Sequence, residues 1–254
     1  MLDHIVILVS HEALLALPST LHTLTITTGG RHADGLTWNR LILFEDGVYI
    51  ELIAFYDDIP AERRQAHRWG ALPEGTIIDW ACSLRKSSDF SVIRQRVADA
   101  DAGFSYTQPA PGGRTKPDGT VLKWAIGAPL DKNGEGTHPG VLPFWCLDET
   151  PRRLRVPYEE SPEATTHQSG AKGVSRLVIT VPEGYGENLG KVYSAFLGGG
   201  PEWHFDVPSG AHARQTISLE TGEVMGVKLA LAGTEASPSF IEILPGLVVK
   251  IDRE

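Results

Sequence analysis

One short pattern occurs twice in this chain of 254 residues. Gly29-Gly30-Arg31-His32-Ala33-Asp34-Gly35 and Gly112-Gly113-Arg114-Thr115-Lys116-Pro117-Asp118-Gly119 share Gly-Gly-Arg, a short spacer and Asp-Gly. Each copy falls at the same step of the same series of elements. In the first series, 2–9 reads as a buried strand and Ser10 caps a helix over 12–21. A strand over 24–28 is ended by Gly29-Gly30, and 37–44 and 48–55 form a hairpin around Glu45-Asp46-Gly47. In the second series, 76–84 is a strand and Ser87 or Ser88 caps a helix through Ala100. Strands over 105–108, 121–127 and 141–147 complete it. A pattern repeated at one structural step implies duplication. The chain therefore reads as two β-α-β-β-β units, about 1–58 and 75–148, in a domain spanning 1–150.

A Pro- and Glu-rich stretch over 151–172 reads as a linker or surface loop. The series then returns over 173–254. It runs through a strand at 173–181, a helix at 188–197, and strands at 215–219, 224–231 and 240–244. Phe240-Ile241-Glu242-Ile243-Leu244 echoes Tyr49-Ile50-Glu51-Leu52-Ile53. This predicts a third, more diverged β-α-β-β-β unit.

Charge narrows the partners. Lys and Arg number 23 against 32 Asp and Glu, a net charge of −9, and both nucleic acid and anionic membranes need clustered positive charge. Cys82 and Cys146 sit far apart in apolar runs, as buried thiols do. No run approaches the length of a membrane span, and Asp3 stands where a signal peptide carries a base. The expectation is a cytoplasmic protein that binds a small molecule.

Tandem β-α-β-β-β units build the vicinal-oxygen-chelate superfamily, and the chain resembles its glyoxalase-like domain family. The resemblance is carried by Leu2-Asp3-His4-Ile5-Val6, by Gly29 to Gly35, and by Gly47-Val48-Tyr49-Ile50-Glu51-Leu52-Ile53-Ala54-Phe55. Pro143-Phe144-Trp145 and Arg155-Val156-Pro157 extend it, so that it covers about 1–180. It implies an α+β fold in which two units form a half-open barrel of mixed and antiparallel sheet. Such a cup needs an even number of units, so a third one packs as an accessory or pairs with another chain, which points to a homodimer.

The resemblance also implies a divalent metal (Zn, Fe, Mn or Ni) held by the first and fourth strands of each unit. On this chain those positions are His4 and Glu51. In the second unit they fall near Asp79 or Trp80 and near Phe144 or Trp145; in the third they are Arg176 and Glu242. Neither an aromatic ring nor Arg ligates a hard cation, so the best set is His4 and Glu51 with Asp79 or Glu242. The plainer alternative makes His4 a satisfied strand histidine and Glu51 the partner of Arg31 or another base.

Arg31 and its repeat counterpart Arg114 are candidates for gripping a substrate carboxylate or phosphate, and His32 for a general base. Alternatively Arg31 pairs with Asp34 in a turn. Trp80 and Trp145, with Trp38 and Trp124, either line an aromatic pocket or pack the core. The leading functional expectation is a lyase or isomerase acting next to a carbonyl of a carbonyl-containing or aromatic substrate. Glu51 or His32 would be the base, and a metal or Arg31 would steady the oxyanion. The alternative is a non-catalytic ligand-binding protein using the same cup.

Overall fold

Ser10 Oγ accepts a hydrogen bond from Ala13 N and starts the first helix where the sequence predicts. The computed structural model describes residues 1–200, 202–210 and 215–253. The first series consists of β1 (Leu2–Leu8), α1 (His11–Thr20), β2 (Thr27–His32), β3 (Thr37–Leu43) and β4 (Tyr49–Phe55). A short helix, α2 (Ala61–Ala66), leads to the second: β5 (Thr76–Cys82), α3 (Phe90–Asp99), β6 (Ser105–Tyr106), β7 (Ala110–Thr115), β8 (Val121–Gly127), β9 (Pro129–Leu130) and β10 (Phe144–Asp148). The strand expected over 105–108 leaves the main sheet and pairs with β9 instead.

Eight strands close into a barrel in the order β1-β4-β3-β2-β7-β8-β10-β5. Within each unit the first strand runs parallel to the last, His4 beside Tyr49 and Ala81 beside Phe144. The units join along β1 and β5, and again through a seam of two residue pairs, Arg31 with Thr115 and His32 with Arg114. That seam closes what the resemblance implied to be half-open. Alternation along the strands sorts the side chains. Val6, Leu8, Ile53, Phe55, Ala81, Trp124, Phe144 and Cys146 form the inner cluster. Ile5, Ile7, Ile50, Leu52, Trp80 and Trp145 belong to the outer one.

Residues 151–170 are more than a linker. Helices α4 (Arg152–Arg155) and α5 (Pro162–Thr165) cross one barrel end, where Val156 and Ala164 pack on Leu41, Leu43 and Tyr49. His167 accepts from Thr25 N through Nδ1 and donates to the Leu43 carbonyl through Nε2.

The rest comprises β11 (Ala171–Val181), α6 (Gly186–Leu197), β12 (Trp203–Phe205), β13 (Gln215–Thr221), β14 (Gly226–Gly233), β15 (Phe240–Leu244) and β16 (Leu247–Arg253). Its sheet order, β12-β13-β11-β14-β16-β15, has the same neighbours and directions as the barrel segment β3-β4-β1-β5-β10-β8. In place of one third unit, this part holds two shortened series, and the second lacks its helix. The echo of Tyr49–Ile53 in residues 240–244 is not a topological one: β15 pairs with β16 alone, as β8 flanks β10, whereas β4 pairs with β1. Among the described residues no helix is long and apolar enough to cross a membrane.

Candidate active site

Both glycine pairs lie inside strands, β2 and β7, whereas the sequence reading has Gly29-Gly30 ending one. The pairing of β7 with β8 runs unbroken from Gly112 beside Trp124 to Arg114 beside Leu122. The pairing of β2 with β3 slips: Thr28 faces Arg40 but Gly30 faces Asn39, which leaves Gly29 as the extra residue of a β-bulge. One extra residue sends every later side chain to the opposite face. Arg114 therefore lines the barrel cavity, and the inward place on β2 belongs to His32. Arg31 lies exposed outside, where it donates to the Gly35 carbonyl at 3.3 Å and sits over the Tyr56 ring. The glycines make room for what crosses them. A Cβ on Gly29 would lie 1.9 Å from Asn39 Oδ1, and one on Gly112 2.6 Å from Trp124 Nε1. The Asp-Gly steps build turns: Asp34 accepts from Leu36 N and Asp118 from Thr120 N, both at 2.9 Å.

A polar chain runs across the inner wall. Asp3 Oδ1 lies 2.6 Å from His4 Nδ1, and His4 Nε2 faces Glu51 Oε2 at 3.5 Å. Glu51 Oε1 accepts from Asn39 Nδ2 at 2.5 Å and lies 3.4 Å from His32 Nε2. His32 Nδ1 meets Thr37 Oγ1 at 2.8 Å. Burial would raise the Glu51 carboxyl, but the hydrogen bond and charge of His32, the charge of His4 and the Asn39 amide hold it at about 2. Glu51 is thus ionised throughout the physiological range.

Behind His4, Arg155 is wrapped by acids. It donates to both Asp3 oxygens at 2.9 and 3.0 Å, to both Asp148 oxygens at 2.8 Å, and to Tyr49 Oη. Burial pushes the Asp3 carboxyl up, yet the charges of Arg152 and Arg155 outweigh it and hold it well below the usual range. Tyr49 in turn stacks on the His4 ring, with centroids 4.6 Å apart.

The cavity has a volume of about 260 Å³. His4, His32, Glu51 and Arg114 share it with Trp69, Trp124 and Phe144. Arg114 is 5% exposed, yet its contacts are two 3.4 Å approaches to neutral oxygens, Asn39 Oδ1 and the Arg155 carbonyl. His67 also lines the cavity; its Nδ1 accepts from Trp69 N, and burial pushes its pKa down.

Several expected residues stand elsewhere. Trp80 and Trp145 point out of the barrel: Trp80 packs on Phe205 and Tyr193, and Trp145 on Phe196 and Phe90. Their strands alternate, so inward Ala81, Phe144 and Cys146 force them outward. Glu242 is exposed on β15, bound to Gly246 N and outside the cavity. Thr37, Asn39, Tyr49, His67, Trp69 and Arg155 line the cavity but are not among the site residues expected from the sequence, although Tyr49 and Arg155 stand in motifs that carry the resemblance. Tyr49 carried a signal, since it alternates in phase with the inward acid Glu51 on β4.

A sequence-family comparison decides the kinship: the family described as glyoxalase-like domain matches residues 2–194. The chain belongs to this family. Its fold is that of the vicinal-oxygen-chelate superfamily. Among solved structures, a hypothetical protein from Staphylococcus aureus is similar over 100% of this chain and 99% of its own, with a TM-score of 0.70 at 12% identity. Weaker likenesses include 2,2',3-trihydroxybiphenyl 1,2-dioxygenase from Sphingomonas wittichii, with a TM-score of 0.44 at 12% identity over 93% of this chain and 74% of that one. BphC, a halotolerant catechol dioxygenase, scores 0.45 at 12% identity over 92% and 70%. No curated protein matches the chain in sequence.

The superfamily's metal can be tested against the donors present. His4 and Glu51 face one another, and Asp3 backs His4 as a carboxylate backs a metal-bound imidazole. The third position fails. Asp79 is spent on Arg68 at 2.7 Å, Trp69 Nε1 at 2.8 Å and the backbone of Trp80 and Gly140. Phe144 holds the fourth, its ring edge-on to His4. Among the described residues no three His, Cys, Asp or Glu side chains are grouped to hold a metal. The donor set does not fit the ion.

Proposed function

We propose that the barrel is the active site of a small-molecule lyase or isomerase that moves a proton next to a carbonyl. The reading is carried by one observation: His32 stands beside ionised Glu51 in a cavity that also holds the Arg114 guanidinium. In the neutral ring Thr37 Oγ1 accepts from His32 Nδ1 and the lone pair lies on Nε2, which on taking up a proton donates to Glu51 Oε1. The approach of Asn39 Nδ2 to that nitrogen at 3.4 Å agrees with this tautomer. His32 is then the base that removes the proton, and Glu51 steadies the imidazolium that forms. Glu51, held at about 2, is too weak a base for that role itself. The electrons pass from the C–H bond into the carbonyl, and the enolate oxygen is met by Arg114 and by the Nε2 proton of neutral His67. Return of the proton to another carbon gives an isomerase; loss of a group from the next carbon gives a lyase.

A divalent Zn, Fe, Mn or Ni ion would find His4 and Glu51 but neither of the further acids expected, Asp79 or Glu242, and no step requires it. The aromatic walls and the volume support a substrate no larger than a single substituted ring. Two buried free thiols support residence in the cytoplasm. The incomplete ligand set also favours a second reading, a ligand-binding protein without chemistry. Proton NMR in D₂O separates the two, using a panel of short 2-oxo acids, ketones and aldehydes. The enzyme exchanges protons next to the carbonyl of at least one member, and His32→Ala slows this by about 10²-fold or more. Exchange at the buffer rate across the panel would leave the binding reading.

A further inference from the structure

Arg114 and Arg155 are neighbours, with Arg114 Nη2 3.4 Å from the Arg155 carbonyl, and both are almost fully buried. Arg155 has two carboxylates within 3.0 Å. Among the described residues Arg114 has none within 4.0 Å: Glu51 acts on its charge through space, and its hydrogen-bond contacts are two long ones to neutral oxygens. A guanidinium carries five N–H donors in a planar fork that matches a carboxylate, and burying one without a partner anion is costly. Desolvation indeed depresses its pKa. The fork lines the cavity, so the missing anion can come from a ligand.

The seam supplies the second element. His32 and Arg114 are paired residues of adjacent antiparallel strands, and their side chains share one face. We infer that this cavity takes a small carboxylic acid whose carboxylate is gripped by Arg114, with the carbon facing His32 one or two bonds from that carboxylate. The position of the reacting carbon rests on the function proposed above; the carboxylate preference does not. A carboxylate suits a lone guanidinium better than a phosphate does. Among the described residues no Lys lines the cavity and no helix of eight residues or more opens on it.

Calorimetric titration of the purified full chain tests this. The probes are benzoate, its neutral isostere benzamide, pyruvate and inorganic phosphate. The expected result is binding of benzoate or pyruvate, with benzamide at least about tenfold weaker than benzoate. Arg114→Met removes that difference, whereas Arg114→Lys keeps the charge, retains part of it and controls for folding. In His32→Ala proton exchange slows by about 10²-fold or more while the preference for benzoate over benzamide persists, so the two proposals fail separately. Equal affinity for benzoate and benzamide, no binding of either carboxylate at millimolar concentration, a preference that survives Arg114→Met, or tighter binding of phosphate would each overturn the inference.

Discussion

Two buried guanidiniums, Arg114 and Arg155, differ in what surrounds them, and stability measurements should tell them apart. Arg155→Met leaves buried Asp3 and its neighbour Asp148 with Arg152 as their one remaining cation among the described residues. Removing one partner of a buried pair costs about 3–5 kcal/mol, and urea denaturation should read that loss. Arg114→Met removes a charge that no carboxylate among the described residues contacts directly, Glu51 acting on it only through space, and should change stability by less than about 1 kcal/mol. Similar large losses in both would mean that Arg114 is compensated within the protein. Glu51 adds a pH signature. Its folded pKa, about 2, lies below the ordinary glutamate value of about 4.3. Its contribution is complete above the ordinary value and is lost as pH falls through about 2. Glu51→Gln should therefore flatten the acid limb of the stability curve between about pH 4 and pH 2.

At the scale of elements, the bulge on β2 decides the site. The repeat was legible in the sequence and located the right strands, but it aligned Arg31 with Arg114. The bulge at Gly29 is a matter of hydrogen-bond register, and no residue type announces it. The same is true of Trp80 and Trp145, whose direction depends on strand phase. Arg155 was hidden for another reason: it sits in a polar stretch that looks like linker until its acids are brought in from Asp3 and Asp148. Gly30 tests the seam. A Cβ there would lie 2.5 Å from the Thr115 carbonyl oxygen. Gly30→Ala should destabilise the protein by about 1–3 kcal/mol and raise amide exchange selectively in β2 and β7. Exchange that rises evenly over the barrel would argue against a discrete seam.

Asp46, in the turn between β3 and β4, ties the barrel to the second sheet by accepting from Val174 N at 3.1 Å and Gln215 Nε2 at 2.7 Å. Burial pushes its carboxyl up to about 7 against these donors. The folded state therefore holds a proton that the unfolded chain has lost between about pH 4 and 7, so stability falls as pH rises through that window and levels off above it. Urea midpoints should be lower at about pH 8 than at about pH 5, and Asp46→Asn should narrow the gap. An unchanged wild-type midpoint would show the carboxyl to be ionised throughout.

At the scale of the whole molecule, the two sheets share one strand order, and Trp80 and Trp145 fill the space between them. Trp80→Ala should cost about 3–5 kcal/mol in stability and leave benzoate affinity within about twofold, in contrast to a pocket residue. The three units read in the sequence left one without a partner. The observed pairings remove that difficulty, since the last 80 or so residues hold two shortened series that pair with each other. The most direct test of the account is a crystal structure with benzoate bound. The account predicts its carboxylate on Arg114 and its ring among Trp124, Phe144 and His32. Benzoate held by a metal ion on His4 and Glu51, with Arg114 untouched, would contradict it.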